Sequence, residues 1–468
     1  MNATVGAAAR KRPYSAADVA SKQGSLPPLP LPSALTADKL WRLFGERSKE
    51  GRPVHTMGAV DPVQMTQMAR WQEVVNEVGP DLGDYPYTTV PNQVERIFRA
   101  QLHHDRKHYD ERIQIGAEAR AKTPYVDYLR PIIADADMGH GGQSTVLKLT
   151  KLFAEAGASA IHFEDQLVGG QETRSPPGSS RAPSTCATTR TSSASPRRAG
   201  GERRALAEAV EEAEARGAGA AEVGRIESEW LERNKLVTFD EAVEQAVQRS
   251  SIQDKEGAVR GYRAAVDGKS NADARDIAKD ILGEPVFFDW DLPKTREGYY
   301  HFTGGIEAAI KRELAFAPYA DMMWLETKQP DLEQARGFAR RIRERFPGKW
   351  FVYNLSPSFN WSAQGFSDEA LKNFVWDLGK EGFVLQLISL AGLHLNATAT
   401  AELAERYSAD GMLAYVELVQ RKEKALGCDV LTHQKWSGAN YIDRILTTLS
   451  AGSSSTSAVG KDSTEHTF

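Results

Sequence analysis

Asp135, Asp137 and Glu164 are the side chains of this sequence best placed to do chemistry, because each sits just past a short apolar run. Ile132–Ala134 leads into Asp135 and Asp137, and Ala160–Phe163 leads into Glu164 and Asp165. Between the runs Val146, Leu147, Leu149, Leu152 and Phe153 recur at helical spacing, and Gly157 stands where a helix would stop. Pro131–Gln166 therefore reads as strand, helix, strand, a parallel crossover that is right-handed by default. Side chains just past the ends of such strands face one shared rim. A lone acid there is more often a cap or an ion-pair partner. Several on one rim point to a site, since an unpaired buried carboxylate is expensive.

The same punctuation recurs down the chain. Val286–Phe288 ends in Asp289 and Asp291, and Met322–Leu325 ends in Glu326. Trp350–Tyr353 ends in Asn354, Ser356 and Ser358, and Val384–Ile388 ends in Ser389. Helical stretches separate the later runs. Asp331–Glu344 stops before Pro347, and Ser367 caps a segment whose Leu371, Phe374, Val375 and Leu378 share one face. Alternating strands and helices predict a parallel α/β fold. Polar strand ends favour a (β/α)8 barrel of the triosephosphate isomerase type, with a doubly wound open sheet as the alternative.

Global numbers narrow the class. A chain of 468 residues holds one large core with an insertion, or two to three domains. A net charge of −5 gives no reason to expect nucleic acid as a partner. Cys186 and Cys428 are the only cysteines, too few for a disulfide framework or a cysteine zinc site, which fits a reducing compartment. No apolar run approaches bilayer length, so a soluble chain without membrane contact is expected. The first 17 residues carry Arg10, Lys11 and Arg12 and no acid, a faint transit-like bias.

In order along the chain, residues 1–40 read as an extended, Pro-rich arm and 41–205 as the first part of the barrel. Lys39–Gly45, Asp61–Val75 and Val90–Arg120 look helical, and Gly79–Tyr85 looks like a loop. From Gly169 to Ala205 there is no Val, Ile, Leu, Met, Phe, Trp or Tyr, so 169–205 is expected to be disordered. Residues 206–281 are charged and helical, an inserted subdomain in which Thr238 and Glu241 make a capping box. Residues 282–468 return to the barrel pattern.

Taken together, DADMGHGG with HFEDQ, FFDWDLPKTREGYY, WLETKQPDLEQA, YNLSPSFNW, LISLAGLH and THQKWSGANYIDRI resemble the isocitrate lyase family, which includes the 2-methylisocitrate lyases. The resemblance implies a modified barrel of the phosphoenolpyruvate-binding kind, a homotetramer with swapped helices, and a magnesium-dependent retro-aldol (retro-Claisen) cleavage. Isocitrate would give succinate and glyoxylate, and 2-methylisocitrate would give succinate and pyruvate. Asp135, Asp137 and Glu164, with Asp81 nearby, match the family's magnesium shell, where manganese is an alternative ion. Magnesium prefers oxygen ligands and retains water, which suits such a rim. Asn354, Ser356, Ser358 and Ser389 match the donors to the carboxylates of a small tricarboxylate substrate, and Glu326 and Leu387 line the same pocket. The resemblance leaves the compartment open among mitochondrial matrix, glyoxysome or peroxisome, and cytoplasm.

Several family features are missing. The Lys-Lys-Cys-Gly-His motif, whose cysteine protonates the leaving fragment, has no counterpart where this chain reads Gln171–Thr173 and onward. No catalytic residue can therefore be carried over. The Ala-Arg-Thr-Asp strand is absent. So is the Ser-Gly-Trp strand, expected between Met68 and Gly79, where the chain reads ARWQEVVNEV. Six strand candidates stand where a barrel needs eight, and the two gaps coincide with these motifs. The Ser/Arg/Pro/Thr stretch reads like a shifted frame, so an impaired lyase or a catalytically dead subunit is expected.

The pocket also bears on substrate. Isocitrate-specific members read Gln-Phe-Ile-Thr-Leu-Ala-Gly where Gln386–Gly392 has Leu387 and Ser389, and both changes remove volume. That room suits the extra methyl of 2-methylisocitrate, although Leu355 in place of the family's cysteine runs the other way.

Overall fold

The computed structural model describes residues 14–24, 30–71, 73–76, 85–164, 205–234, 236–267, 269–289, 291–295 and 305–452. The chain divides into two compact units, one of Met1–Glu164 with Glu313–Phe468 and one of Asp165–Arg312.

The first unit is built on seven parallel strands: β1 (Val54–Gly58), β2 (Glu73–Asn76), β3 (Ile132–Asp135), β4 (Ala160–His162), β5 (Met322–Leu325), β6 (Trp350–Asn354) and β7 (Phe383–Ile388). Their order is β4-β3-β2-β1-β7-β6-β5. Read from β1 outward in both directions, that is the neighbour sequence of an α/β barrel, with β1 paired to the last strand and no described strand between β4 and β5. Every pairing is parallel, so all seven carboxyl ends share one side. At the opposite end the helix Pro32–Lys49 plugs the sheet. Its Leu40 and Phe44 are buried among Val54, Val352 and Leu385, and Trp41 stacks 4.8 Å from Trp350. Outside β3 and β4, the helix Gln143–Ala156 packs Leu149 and Phe153 against Val94, Ile97 and Phe98 of the helix Thr89–Gln114.

Local chemistry explains most of these boundaries. Gly157 closes Gln143–Ala156 at φ 107°, as its position in the sequence indicated. Asp331 accepts from Gln334 N at 2.9 Å and Ser367 from Ala370 N at 3.2 Å, capping the helices Leu332–Arg345 and Asp368–Lys380.

Four readings are corrected. The extended arm expected over residues 1–40 gives way at Pro32 to an 18-residue helix, with Pro in the first turn where its missing N–H costs nothing. The helix expected over Asp61–Val75 ends at Trp71. ARWQEVVNEV supplies β2, whose β-branched Val74 and Val75 pair with Met57 and Gly58 on one side and Ile132 and Ile133 on the other. Nothing in the sequence pattern marks Val54–Gly58 as a strand, yet it is the centre of the sheet. The apolar run Val286–Phe288 predicts a strand, and the structure forms none there. Phe288 instead meets Phe239 edge-on at 5.4 Å in the core of the second unit.

That second unit is helical: Leu206–Ala215, Ala220–Asn234, Phe239–Arg249, Lys255–Val266 and Asn271–Leu282. Thr238 and Glu241 form the capping box read from the sequence. Val243, Val247, Tyr262 and Ala278 bury around Phe239, and the Tyr262 hydroxyl donates to Asp240 at 2.7 Å. The stretch 169–205 falls outside the described residues save for Ala205.

The C-terminal helices His433–Ser437 and Ala439–Leu449 return to Thr89–Gln114. Arg444 Nε donates to Asp110 at 2.5 Å, and the His104 ring lies 5.1 Å from Trp436 and 5.5 Å from Tyr128. Burial, aided by Lys107 and His103, lowers the pKa of His104 from 6.5 to about 4. The fold thus holds this ring neutral while the unfolded chain protonates it below about 6.5. Stability is therefore present above that pH and lost as pH falls from about 6.5 to about 4. The full shift is worth about 3 kcal/mol, which screening reduces. Urea unfolding at pH 7.5 and pH 5 should show a markedly smaller pH difference for His104→Phe than for the parent chain. An equal difference in both would dismiss His104 as the source.

Candidate active site

The first half of the rim is the turn after β3. Asp137 and His140 adopt φ of 46° and 54°, two of the three positive values among described non-glycine residues. Such a conformation costs of order 1–3 kcal/mol and survives only where its surroundings dictate it. Here they do. Asp137 N donates to Asp135 Oδ1 at 2.8 Å, Glu164 N donates to Asp137 O at 2.8 Å, and Ala136 N donates to His162 O at 3.1 Å. The Tyr85 hydroxyl donates to the Asp137 carboxylate, and His140 Nε2 lies 3.5 Å from the same group. The ends of β3 and β4 are thereby tied into one acidic corner.

The second half of the rim runs over β5, β6 and β7. Glu326 accepts from the Trp324 indole N–H at 2.8 Å and from Asn354 Nδ2 at 3.1 Å. Ser389 Oγ donates to Asn354 Oδ1 at 3.5 Å, a long contact. Behind them the buried Tyr353 hydroxyl meets Thr327 Oγ1 at 3.1 Å and accepts from Asp331 N at 3.4 Å. That fastens the loop bearing Glu326 to β6. Burial raises the Tyr353 pKa, so its proton stays on.

One contact joins the halves where no described strand lies. The His162 ring sits 4.5 Å from the Trp324 ring, tilted by 40°, and His162 Nδ1 lies 3.5 Å from Asp135 Oδ1. A continuous line of side chains therefore runs Asp135, His162, Trp324, Glu326, Asn354, Ser389, with Asp137 joined to Asp135 through its backbone N–H.

Of the residues singled out in the sequence, Asp135 and Asp137 come together, as do Glu326, Asn354 and Ser389. Glu164 joins the acidic corner through its backbone, with its side chain exposed. Ser356 and Ser358 pair with each other at 2.6 Å on the loop after β6, whose Ser356 carbonyl accepts from the Trp361 indole at 3.2 Å. Leu387 is 2% exposed and lies beside Asn354, its register partner on β6. Asp81 lies outside the described residues. His162, Trp324, Tyr85 and His140 were missed, although the HFEDQ and WLETK motifs contain two of them at strand ends.

Among the described residues no three His, Cys, Asp or Glu side chains converge on one metal position. Magnesium does not require three, since it is commonly held by one or two carboxylates with water and a substrate oxygen completing the shell. Asp135 and Asp137, hard oxygen donors two residues apart on a fixed turn, fit that demand. The opposite half of the rim offers an amide and hydroxyls suited to carboxylate oxygens.

Comparison with known proteins identifies what the chain is similar to. The isocitrate lyase family model matches residues 7–175 and 198–468. The mitochondrial 2-methylisocitrate lyase of Hypocrea atroviridis is 49% identical, with 98% of this chain and 91% of the relative covered. The corresponding mitochondrial enzyme of Saccharomyces cerevisiae is 45% identical, covering 98% and 89%. The isocitrate lyase of the same yeast is 39% identical, covering 98% and 92%. The first match runs over 518 residues although this chain has 468 in all, so it spans positions of the relative that this chain lacks.

The join between the halves can be tested apart from any ligand. Trp324→Phe keeps a ring beside His162 and loses one hydrogen bond, and denaturant unfolding should show a loss of about 1 kcal/mol. Trp324→Ala also opens a cavity and should cost about 3 kcal/mol or more. Equal losses would mean the ring contact contributes nothing.

Proposed function

This chain belongs to the isocitrate lyase family, and we propose that its substrate is 2-methylisocitrate, cleaved to succinate and pyruvate. The observation that carries the reading is the continuous rim, with acids at one end and carboxylate donors at the other. Identities of 49% and 45% to two 2-methylisocitrate lyases, against 39% to the yeast isocitrate lyase, support it over isocitrate. The reduced volume at Leu387 and Ser389 points the same way.

In this reaction the substrate hydroxyl loses its proton and its carbon becomes the carbonyl of pyruvate. The C–C bond breaks, and its electron pair passes to the carbon beside a carboxylate of the nascent succinate. Asp135 and Asp137 would hold magnesium, with Glu164 and Asp81 acting through water. Bound there, the ion supplies Lewis acidity that lowers the pKa of a chelated hydroxyl. His162 and Tyr85 fix the two carboxylates. Asn354, Ser389, Ser356 and Ser358 receive the substrate carboxylates and stabilise charge on the departing fragment. The final proton for succinate has no assigned source, because the family's cysteine motif is absent from the sequence. We therefore expect weak turnover, and in the limit a subunit that binds without reacting.

The relatives named mitochondrial support a mitochondrial location for this chain. Assembly with further copies, as a homotetramer, is supported by the helix Ala439–Leu449, which leaves Ile442, Ile445, Leu446 and Leu449 exposed on an apolar face.

Two measurements test the reading. Calorimetry should detect weak Mg2+ binding that Asp135→Asn or Asp137→Asn abolishes and Glu164→Gln only weakens, and unchanged binding in the first two would refute the acidic shell. Steady-state assay should find 2-methylisocitrate turned over at least about 10²-fold more slowly than by an intact relative. With the missing motifs restored, the chain should prefer 2-methylisocitrate, and Leu387→Phe with Ser389→Thr should move the ratio toward isocitrate by roughly 10–200-fold. An isocitrate preference that those substitutions leave unmoved would overturn the substrate assignment.

A further inference from the structure

Ser389 stands where β7 ends, and nothing in β7 itself fixes the turn that presents its hydroxyl. That turn is held from β1 and from the helix Pro62–Trp71. At Gly58, the last residue of β1, a Cβ would lie 1.6 Å from Ser389 O, so only glycine admits this approach. At Gly392 a Cβ would lie 2.3 Å from Gln64 Oε1 and 2.7 Å from Gly58 O. The two glycines open a slot, and the Gln64 amide fills it. Its Oε1 accepts from Val60 N at 2.9 Å, and its Nε2 donates to Gly392 O at 3.0 Å and to Asn396 Oδ1 at 2.7 Å. Gln64 is itself anchored, its backbone N donating to Asp61 Oδ1 at 2.9 Å. One side chain thus joins the loop after β1 to the start of the helix Ala391–Asp410.

We propose that Gln64 is a positioning residue for carboxylate binding, acting through Ser389: it clamps the β7 turn so that the Ser389 hydroxyl stays directed at Asn354. The proposal rests on reading Ser389 as a substrate donor. The geometry favours a positioning role over a packing one. Gln64 is only half-buried, and its three side-chain hydrogen bonds tie the loop after β1, at Val60, to Gly392 and Asn396 just beyond the turn that carries Ser389. Both amide ends are used, so a side chain of equal length without them leaves the slot filled and the turn unheld.

The test uses the full chain with Gln64→Met, which preserves length and removes both hydrogen-bonding ends. Hydrogen exchange without ligand should rise at least about tenfold in peptides covering residues 386–397 and stay unchanged elsewhere in the sheet. Succinate binding in the presence of Mg2+ should weaken about tenfold, equivalent to about 1.4 kcal/mol. In a Ser389→Ala background the same substitution should add no further loss, because the clamp acts through that hydroxyl. Should Gln64→Met misfold, Gln64→Glu keeps the acceptor for Val60 N and removes only the donor. Unchanged exchange over residues 386–397 overturns the clamp whatever the ligand does. Additive losses with Ser389→Ala show a general structural effect and overturn it too. If the parent chain binds no succinate, the proposed function falls, while the exchange measurement still decides the clamp.

Discussion

The pairing of β1 with β7 is the constraint on which the rest of the molecule depends. Val54, His55, Thr56 and Met57 stand opposite Leu385, Gln386, Leu387 and Ile388, and Thr56 Oγ1 adds a bond to Gln386 O at 3.1 Å. This is the one described backbone seam between strands from the first third of the chain and strands from its last third. Because side chains alternate along a strand, a slip of one residue would turn Leu387 out of the core and move Ser389 away from Asn354. The glycine at position 58 guards that register, since any other residue there would collide with the Ser389 carbonyl.

From that seam the two halves of the rim follow by different physics. The acidic half stores backbone strain. Asp137 and His140 occupy left-handed conformations in a turn held by several hydrogen bonds, so the acidic corner is fixed by the fold itself. The donor half stores little strain and relies on side-chain relays from Trp324 through Glu326 to Asn354. Fixed charge benefits most from such preorganisation, because rearranging it on binding is costly. Amides and hydroxyls tolerate some movement, and the 3.5 Å Ser389 contact is long enough to shorten around a ligand.

The sequence made the acidic half plain and much of the sheet obscure, for physical reasons. Pro131–Gln166 has a full helical period between two apolar runs and a glycine stop, so its elements were legible. Caps at Asp331, Ser367 and Thr238 were equally readable, because a short polar side chain before an apolar period has one dominant use. Val54–Gly58, by contrast, is five residues with His, Thr and Gly among them, and its burial comes from neighbours distant in the chain. Glu73–Asn76 continues an apparent helical period out of Trp71, and only pairing on both sides makes it a strand. Val286–Phe288 failed in the opposite sense. Its apolar run was real, but Phe288 found its partners among the inserted helices. His162 and Trp324 were invisible as a pair because nothing in the sequence says that β4 and β5 face each other.

The missing motif bears on how binding and turnover are divided within this architecture. The described rim residues to which we assign the acid and donor roles lie on β3 to β7 and their loops, inside regions the family model matches. The family's proton-donating cysteine belongs to the segment following His162–Gln166, and the match breaks soon after it, between residues 175 and 198. On the proposed reading, ground-state recognition of the substrate would depend on the rim, whereas protonation of the carbanion would be needed only after the C–C bond has broken. Interactions made late in a reaction raise kcat without contributing to ground-state affinity. On that reading a loss confined to that segment would fall on the chemical step, while the β1–β7 seam, the strained acidic turn and the Trp324 relay keep their reasons to form.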